Sequence, residues 1–420
     1  MTRSVQRIRA IYHEYPLQFW FLLLGSFVDG IGGALVFPFF TLYISRRFGI
    51  NMTGLGLFMS LYAISIFFSS ILGGALADRV GRRTTMLMGL TVSGLSSLLM
   101  GWANSMGMLA AIVLVVGLFA EVGGPARQAM VADLLPERQR TQGFGLLRMV
   151  HNLAVAIGPA IGGLMAARSF LWLFVADAVA SVLTAILVAA VLRETRPTSE
   201  VGVDQGSFLQ TVGGYGIVLR DRRFVAFVVM SMLVMMVSLQ MSTSLPVYLA
   251  DAHGVSAQGF GYLLTLNASM VVLLQFWVTR RTRPYPPLLM AALGGAVYGV
   301  GYTLYGIVAA YGLFLVAMAI VTMGEMIFFP TVQALATRLA PMDMRGRYLA
   351  AYGFAWAIPA MVGPVLTGWV MDNADPRFAW YISGLAGSLA AVGFVTLHRR
   401  LGRSLSAASQ PGIKVPTGSE

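Results

Sequence analysis

The sequence predicts an all-α membrane protein of twelve transmembrane helices, arranged as two pseudo-symmetric six-helix halves. Three observations carry this expectation. Of the 420 residues 57% are hydrophobic and 11% charged, more apolar surface than a water-soluble chain of this length can bury. Apolar runs of about 20 residues recur from end to end, the length that a ~30 Å hydrocarbon core demands of a helix. One stretch also repeats: PARQAMVADLLPERQR (125–140) aligns with PTVQALATRLAPMDMR (330–345), setting Pro125 on Pro330, Gln128 on Gln333, Pro136 on Pro341 and Arg140 on Arg345. The same offset carries Gly158-Pro159 onto Gly363-Pro364 and Gly163 onto Gly368. Two parallel halves imply a pseudo-two-fold axis along the membrane normal, with a binding site at the midplane between them.

The twelve spans are expected at 17–44, 54–77, 86–104, 108–133, 147–167, 170–192, 224–249, 258–278, 287–308, 312–337, 348–371 and 378–398. The first, from Leu17, is too long for a signal peptide and lacks a small-x-small cleavage site after it, so it is expected to stay attached and span. Ahead of it, Ile8, Ile11, Tyr12 and Tyr15 share one helical face beside Arg3, Arg7 and Arg9, which suits an interfacial anchor. The longest polar segment opens with ETRPTSE, a turn-rich linker. It closes with SFLQTVGGYGIVLRDRRF, suited to lie along the membrane surface. The expected domains are thus an amino-terminal six-helix bundle (1–192), a central cytoplasmic loop (193–223), a carboxy-terminal six-helix bundle (224–403) and a disordered tail (404–420).

A net charge of +12 in a soluble protein would suggest nucleic acid. In this chain the arginines read as topology signals instead, and no nucleic-acid partner is expected. Arg46, Arg47, Arg168 and Arg377 fall in loops on one side, and Arg127 and Arg148 within spans. The rest of the 29 basic residues lie on the side of both termini. That side is therefore expected to be cytoplasmic, in a multi-pass protein of the cell membrane. Cysteine is absent, which removes disulfides and thiolate chemistry. The four histidines, His13, His151, His253 and His398, show no ligand spacing, so neither a metal nor a cofactor is expected.

The most specific motif is GGALADRVGRR (73–83), between spans 2 and 3. Its glycines allow close helix approach and a tight reversal. Asp78, at the inner end of span 2, is placed to accept hydrogen bonds from a neighbouring helix N-terminus, or simply to cap its own surroundings. Here the sequence resembles the major facilitator superfamily, whose signature in this loop reads G-x-L-a-D-r-x-G-r-[RK]. Gly74, Asp78, Arg79, Gly81, Arg82 and Arg83 fill it. The resemblance implies that Asp78 and Arg82 join a gating charge relay with an acid at the end of span 4, a place held by Asp133. The second-half counterpart, WVTRRTRPYPPLL, keeps the arginines but lacks the Asp and Gly, so a symmetric second lock is not implied.

A second motif lies in span 5: Gly145, Ala154 and then GPAIGG, with Gly158, Pro159, Gly162 and Gly163. It resembles the antiporter signature G-x8-G-x3-G-P-x2-G-G of the superfamily's drug:proton branch, with Ala154 in place of one glycine. Bare spacing of this kind lets a partner helix pack tightly, and ordinary small-residue packing uses it too.

Three acids are stranded in the spans. Asp29, Glu121 and Glu325 each stand about 12–13 residues from the cytoplasmic end, ~18–20 Å deep at 1.5 Å per residue. Intramembrane acids mark ion or substrate paths unless they are statically paired with an arginine. Arg148, His151 and Asn152 in span 5 offer a polar patch that could pair with them; Asp177 in span 6 and Gln240 complete the expected polar cavity. Arg148 and Arg127 are the arginines that could pair statically with these acids, although Arg127 is also close enough to the inner surface to snorkel. Desolvation favours the neutral form of a carboxylic acid, and on one carboxylate a proton and a cation exclude each other. That competition is a physical basis for exchange, so Asp29, Glu121 and Glu325 are the expected proton- and substrate-coupling residues. The 25 methionines suit either an adaptable cavity or ordinary membrane core.

Lys414 is the only lysine, so no phosphate-binding GxxxxGK[ST] loop exists and energy must come from an ion gradient. The expected function is a proton-coupled exporter of amphipathic or cationic small molecules, not an enzyme, acting as a monomer in the bilayer. A transporter of a defined metabolite, anion or lipid, with Arg148 as anion partner, is the alternative. A membrane-embedded enzyme around His151 and a non-transporting receptor are the readings from other classes.

Overall fold

The computed structural model describes residues 14–195, 218–341 and 344–407. Most of the expected interfacial anchor (Ile8, Ile11, Tyr12), the surface stretch up to residue 217 and the tail from 408 lie outside those residues. The helices are α1 Leu17–Phe48, α2 Met52–Arg79, α3 Arg82–Gly101, α4 Met106–Phe119, α5 Gly123–Leu134, α6 Glu137–Arg168 and α7 Phe170–Val191, followed by α8 Arg222–Leu239, α9 Leu245–His253, α10 Ala257–Thr282, α11 Pro287–Ile307, α12 Tyr311–Leu339, α13 Arg345–Asn373 and α14 Arg377–Ala407. The described residues contain no strand. Twelve segments among them are long and apolar enough to cross a membrane, so the fold is all-α with twelve spans. The last helix continues to Ala407, past the expected boundary at 403.

Two expected spans are interrupted. The run 108–133 divides into α4 and α5 around a single 3₁₀ turn, Ala120–Val122. The cause is local: Pro125 has no N–H to give to the Glu121 carbonyl, and Gly123-Gly124 before it resist distortion least. The equivalent Pro330 sits inside an unbroken α12. Its preceding pair is Phe328-Phe329, and Phe328 is fully buried while the Phe329 ring stacks on Trp356. Side-chain packing holds the helix where glycines cannot. The run 224–249 also breaks, at Gln240–Ser244. There Leu245 N–H reaches back to the Gln240 carbonyl (2.9 Å) and the Thr243 hydroxyl donates to the Leu239 carbonyl (2.9 Å).

The chain gathers into two compact units: Met1–Asp204 with Leu239–Val272 and Ala360–Pro376, and Gln205–Ser238 with Leu273–Pro359 and Arg377–Glu420. The first unit has two apolar clusters. One, at the end of α1 near its start, gathers Phe19, Leu22, Leu23, Met86, Met130, Leu135 and Leu192. The other, toward the far end of α1, gathers Phe40, Tyr43, Ile44, Phe58, Val113, Phe174 and Val247. In α1 and α7 the intramembrane acids fall between the stretches that feed these clusters. In the second unit α11 packs backbone to backbone on its neighbours. A Cβ on Gly299 would come 3.0 Å from the Gly384 carbonyl, and one on Gly294 2.9 Å from Phe328. Tyr298, Tyr302, Tyr305, Phe314 and Trp380 fill the space beside that seam, all at 0% exposure.

Candidate functional site: a polar belt inside the helical bundle

Asp29, mid-way along α1, and Arg127, on the first turns of α5, form an ion pair at 3.3 Å, with side-chain exposures of 21% and 26%. Of the two arginines expected as static partners of the intramembrane acids, Arg127 takes that place at Asp29, and it does so instead of snorkelling. Its guanidinium turns sideways to a carboxylate that apolar surroundings would otherwise leave uncompensated. Glu121 lies within electrostatic reach of both Arg127 and Asp29. It sits in the 3₁₀ turn between α4 and α5, deep among the spans and desolvated by them although part of its surface stays accessible. The tight turn is made possible from the α2 side, where Gly73 lies against the Val122 backbone; a Cβ there would come 2.7 Å from the Val122 carbonyl oxygen.

Asp177 on α7 is 7% exposed. One carboxylate oxygen accepts the Ser97 hydroxyl from α3, and the other lies against Gly32 of α1, where a side chain would collide with it. Tyr62 on α2 has Glu121 and Asp177 as its acidic neighbours. The structure therefore brings Asp29, Glu121 and Asp177 into one belt with Tyr62 and Arg127. His151 has Arg127 and Arg148 as charged neighbours. Arg148, His151 and Asn152 are all exposed. Among the described residues no acid stands within ion-pair distance of Arg148; within the belt it is Arg127 that pairs, with Asp29. Gln240, 2% exposed, is a buried connector: its amide donates to the Thr367 hydroxyl.

Glu325 belongs to the second unit. It is half-buried on α12, in electrostatic reach of Tyr298 and Tyr302. Gly324 beside it lets α12 touch the α11 backbone, its Cβ position lying 2.7 Å from Tyr298 N. The Tyr298 hydroxyl is 3.1 Å from the Ser238 hydroxyl, and the Gln275 amide donates to the Met326 carbonyl at 3.0 Å.

At the end of the first unit that carries Leu17, the signature loop forms a charged knot. Gly81 takes φ +110°, a backbone open to glycine alone, and turns the chain from α2 into α3. Arg82 Nε donates to Asp133 at 3.0 Å and its Nη2 stands 3.5 Å from Asp78, whose side chain is 72% exposed. Asp78, Arg82 and Asp133 are thus brought together. Arg83 donates to the Ala189 and Val188 carbonyls at the end of α7, and Arg79 is exposed. Sequence reasoning missed Glu194. Its two carboxylate oxygens accept from the Arg82 and Arg83 backbone N–H groups at 2.7 and 3.2 Å, capping α3 where Gly81 has no side chain to do so. Thr195 beside it donates to Asp133 at 3.0 Å. An acid just after the long apolar run of span 6 was the available signal.

The second motif packs α6 on α1. A Cβ on Gly158 would come 2.4 Å from that of Ala34, and one on Gly162 2.8 Å from the Leu35 carbonyl, while Gly145 has open space.

The model of the Major Facilitator Superfamily matches residues 22–364 of this chain. The chain is 29% identical over 409 residues to a Na(+), Li(+), K(+)/H(+) antiporter of Planococcus maritimus, covering 89% of this chain and 94% of that one. It is 25% identical over 396 residues to the multidrug resistance protein MdtH of Escherichia coli, covering 92% and 96%. Among solved structures it is similar to a POT family transporter in complex with 5-aminolevulinic acid. That likeness has a TM-score of 0.76 and 16% identity, over 91% of this chain and 96% of the other, and it supports the fold alone.

Proposed function

Since this chain belongs to the major facilitator superfamily, we propose that it is a proton-coupled exporter of amphipathic or cationic small molecules, working by alternating access. The proposed setting is the cell membrane, with both termini cytoplasmic. The observation that supports this reading is the belt itself: Asp29, Glu121 and Asp177 gathered among apolar spans, with one arginine among them. Three acids and one nearby guanidinium leave negative charge for protons or a cation to neutralise. Glu121 is the proposed exchange point, because among the described residues it is neither ion-paired like Asp29 nor hydrogen-bonded like Asp177, and it sits in a turn with fewer helical hydrogen bonds to hold it. Asp29 is pre-paired and Asp177 is sealed against Gly32 and Ser97, so both shape the field around it. Glu325 is the proposed counterpart in the second unit, and Asp78, Arg82 and Asp133 the proposed gate. The similarity to a multidrug resistance protein and to a cation/proton antiporter supports the exchange of cations for protons.

A second reading has observational support: exchange of Na⁺, Li⁺ or K⁺ for protons, suggested by the relative from Planococcus maritimus. One experiment addresses both. Inverted vesicles containing the protein are energised to an acid interior, and the collapse of the pH difference is read with a fluorescent base. Collapse on adding tetraphenylphosphonium or ethidium, absent from vesicles with Glu121→Gln, is the expected result. Collapse on NaCl or KCl alone selects the second reading. No response to any of these cations contradicts both.

A further inference from the structure

At the end of the first unit remote from Leu17, two stretches distant in sequence meet without side chains between them. Gly368 on α13 lies on Met52 at the start of α2, where a Cβ would come 2.1 Å from the Met52 carbonyl oxygen; one turn on, Gly56 lies as closely on Pro364. A second seam joins α6 to α10, Gly163 against Gly261, with a Cβ position 3.0 Å from the opposing Cα. Between them the Phe39 and Phe260 rings meet edge to face, and the Thr41 hydroxyl donates to the Ser242 carbonyl at 3.4 Å. Contacts this bare have two states, touching or parted, because no flexible side chain can fill a partial opening.

One charged group spans the first seam. Asp372, at the end of α13, accepts from Met52 N–H at 2.9 Å, from Thr53 N–H at 2.7 Å and from the Thr53 hydroxyl at 2.5 Å. Asn51 accepts the Gly54 N–H at 3.0 Å. The opening N–H groups of α2 are thus shared between a local cap and an acid 320 residues away. A local cap alone would suffice to start the helix. The distant one ties the first turn of α2 to α13 and adds a negative charge to the positive end of the helix dipole. All of these bonds are exposed, so water can replace Asp372 when the seam parts. That suits a fastening that must release in each cycle.

We propose that Asp372 is the latch of the gate on this face of the transporter, holding the Gly368–Met52 and Gly56–Pro364 seam shut until the cycle opens it. On the orientation proposed above this is the outer face. The inference goes beyond the proposed function and needs only the family's alternating access, whatever ion or substrate drives it.

The natural chain has no cysteine, so reporters can be placed without prior substitutions. Arg47→Cys at the end of α1 and Ala374→Cys just after α13 put spin labels on two exposed positions either side of the seam. Pulsed electron-electron resonance then reads their distance in proteoliposomes with no gradient and no substrate. The doubly labelled chain with Asp372 and Thr53 intact is expected to give a dominant short distance. Asp372→Asn should raise the fraction at longer distance by about threefold or more, and Thr53→Val, which removes one bond only, should raise it less. Thr53→Val keeps the test valid if Asp372→Asn fails to assemble. Unchanged distance distributions in both variants overturn the proposal. The readout involves no proton or drug, so its failure is separate from failure of the exchange reading.

Discussion

Arg127 Nη2 stands 3.3 Å from Asp29 Oδ2, joining α5 to the middle of α1 across 98 residues of sequence. Breaking a fully buried pair of this kind by removing one partner costs ~3–5 kcal/mol. Here both side chains keep about a quarter of their exposure, so Arg127→Gln or Asp29→Asn is expected to cost about 1–3 kcal/mol. The double variant should recover part of that loss, because neither charge is then left alone. Thermal unfolding in detergent measures all three, and strict additivity would show that the pair is not coupled.

Glu194 supplies the cap that Gly81 cannot. Glu194→Ala is expected to destabilise the protein by about 0.5–2 kcal/mol, the usual loss for a helix N-cap. It should also raise hydrogen exchange at the Arg82 and Arg83 amides, whose acceptor it is. Protection left unchanged at both amides would contradict the capping role.

The glycines of the second motif are not equivalent. Gly158→Ala and Gly162→Ala drive a methyl into Ala34 and into the Leu35 carbonyl, an overpacking cost of about 1–3 kcal/mol each. Gly145→Ala meets open space and should stabilise α6 slightly, since alanine favours helix by up to ~1 kcal/mol over glycine. Yield and melting temperature of the three variants test this ranking.

Span count and chain order were legible in the sequence because run length and apolar content follow directly from bilayer thickness. The repeat aligned Pro125 with Pro330, yet only the first ends a helix. What decides is the pair before each proline, Gly123-Gly124 against Phe328-Phe329, and the effect of the phenylalanines depends on Gly294 and Trp356, far away in sequence. The acids Asp29, Glu121 and Asp177 were visible as charges in apolar runs. Arg127 and Arg148 were legible as candidate partners, but not which of them pairs with which acid, because a residue's depth, unlike its side chain's direction, can be counted along the chain. Asp372 lies near a loop, where acids are ordinary, and only the meeting of α13 with α2 gives it a role.

The central claim is that protons and cationic substrate compete for Glu121 and Glu325. Purified protein in weakly buffered detergent, mixed with a transported lipophilic cation, should release protons that a pH indicator records. Glu121→Gln and Glu325→Gln should each reduce or abolish that release while fluorescence still reports binding of the cation. Full proton release retained in both variants would contradict the account.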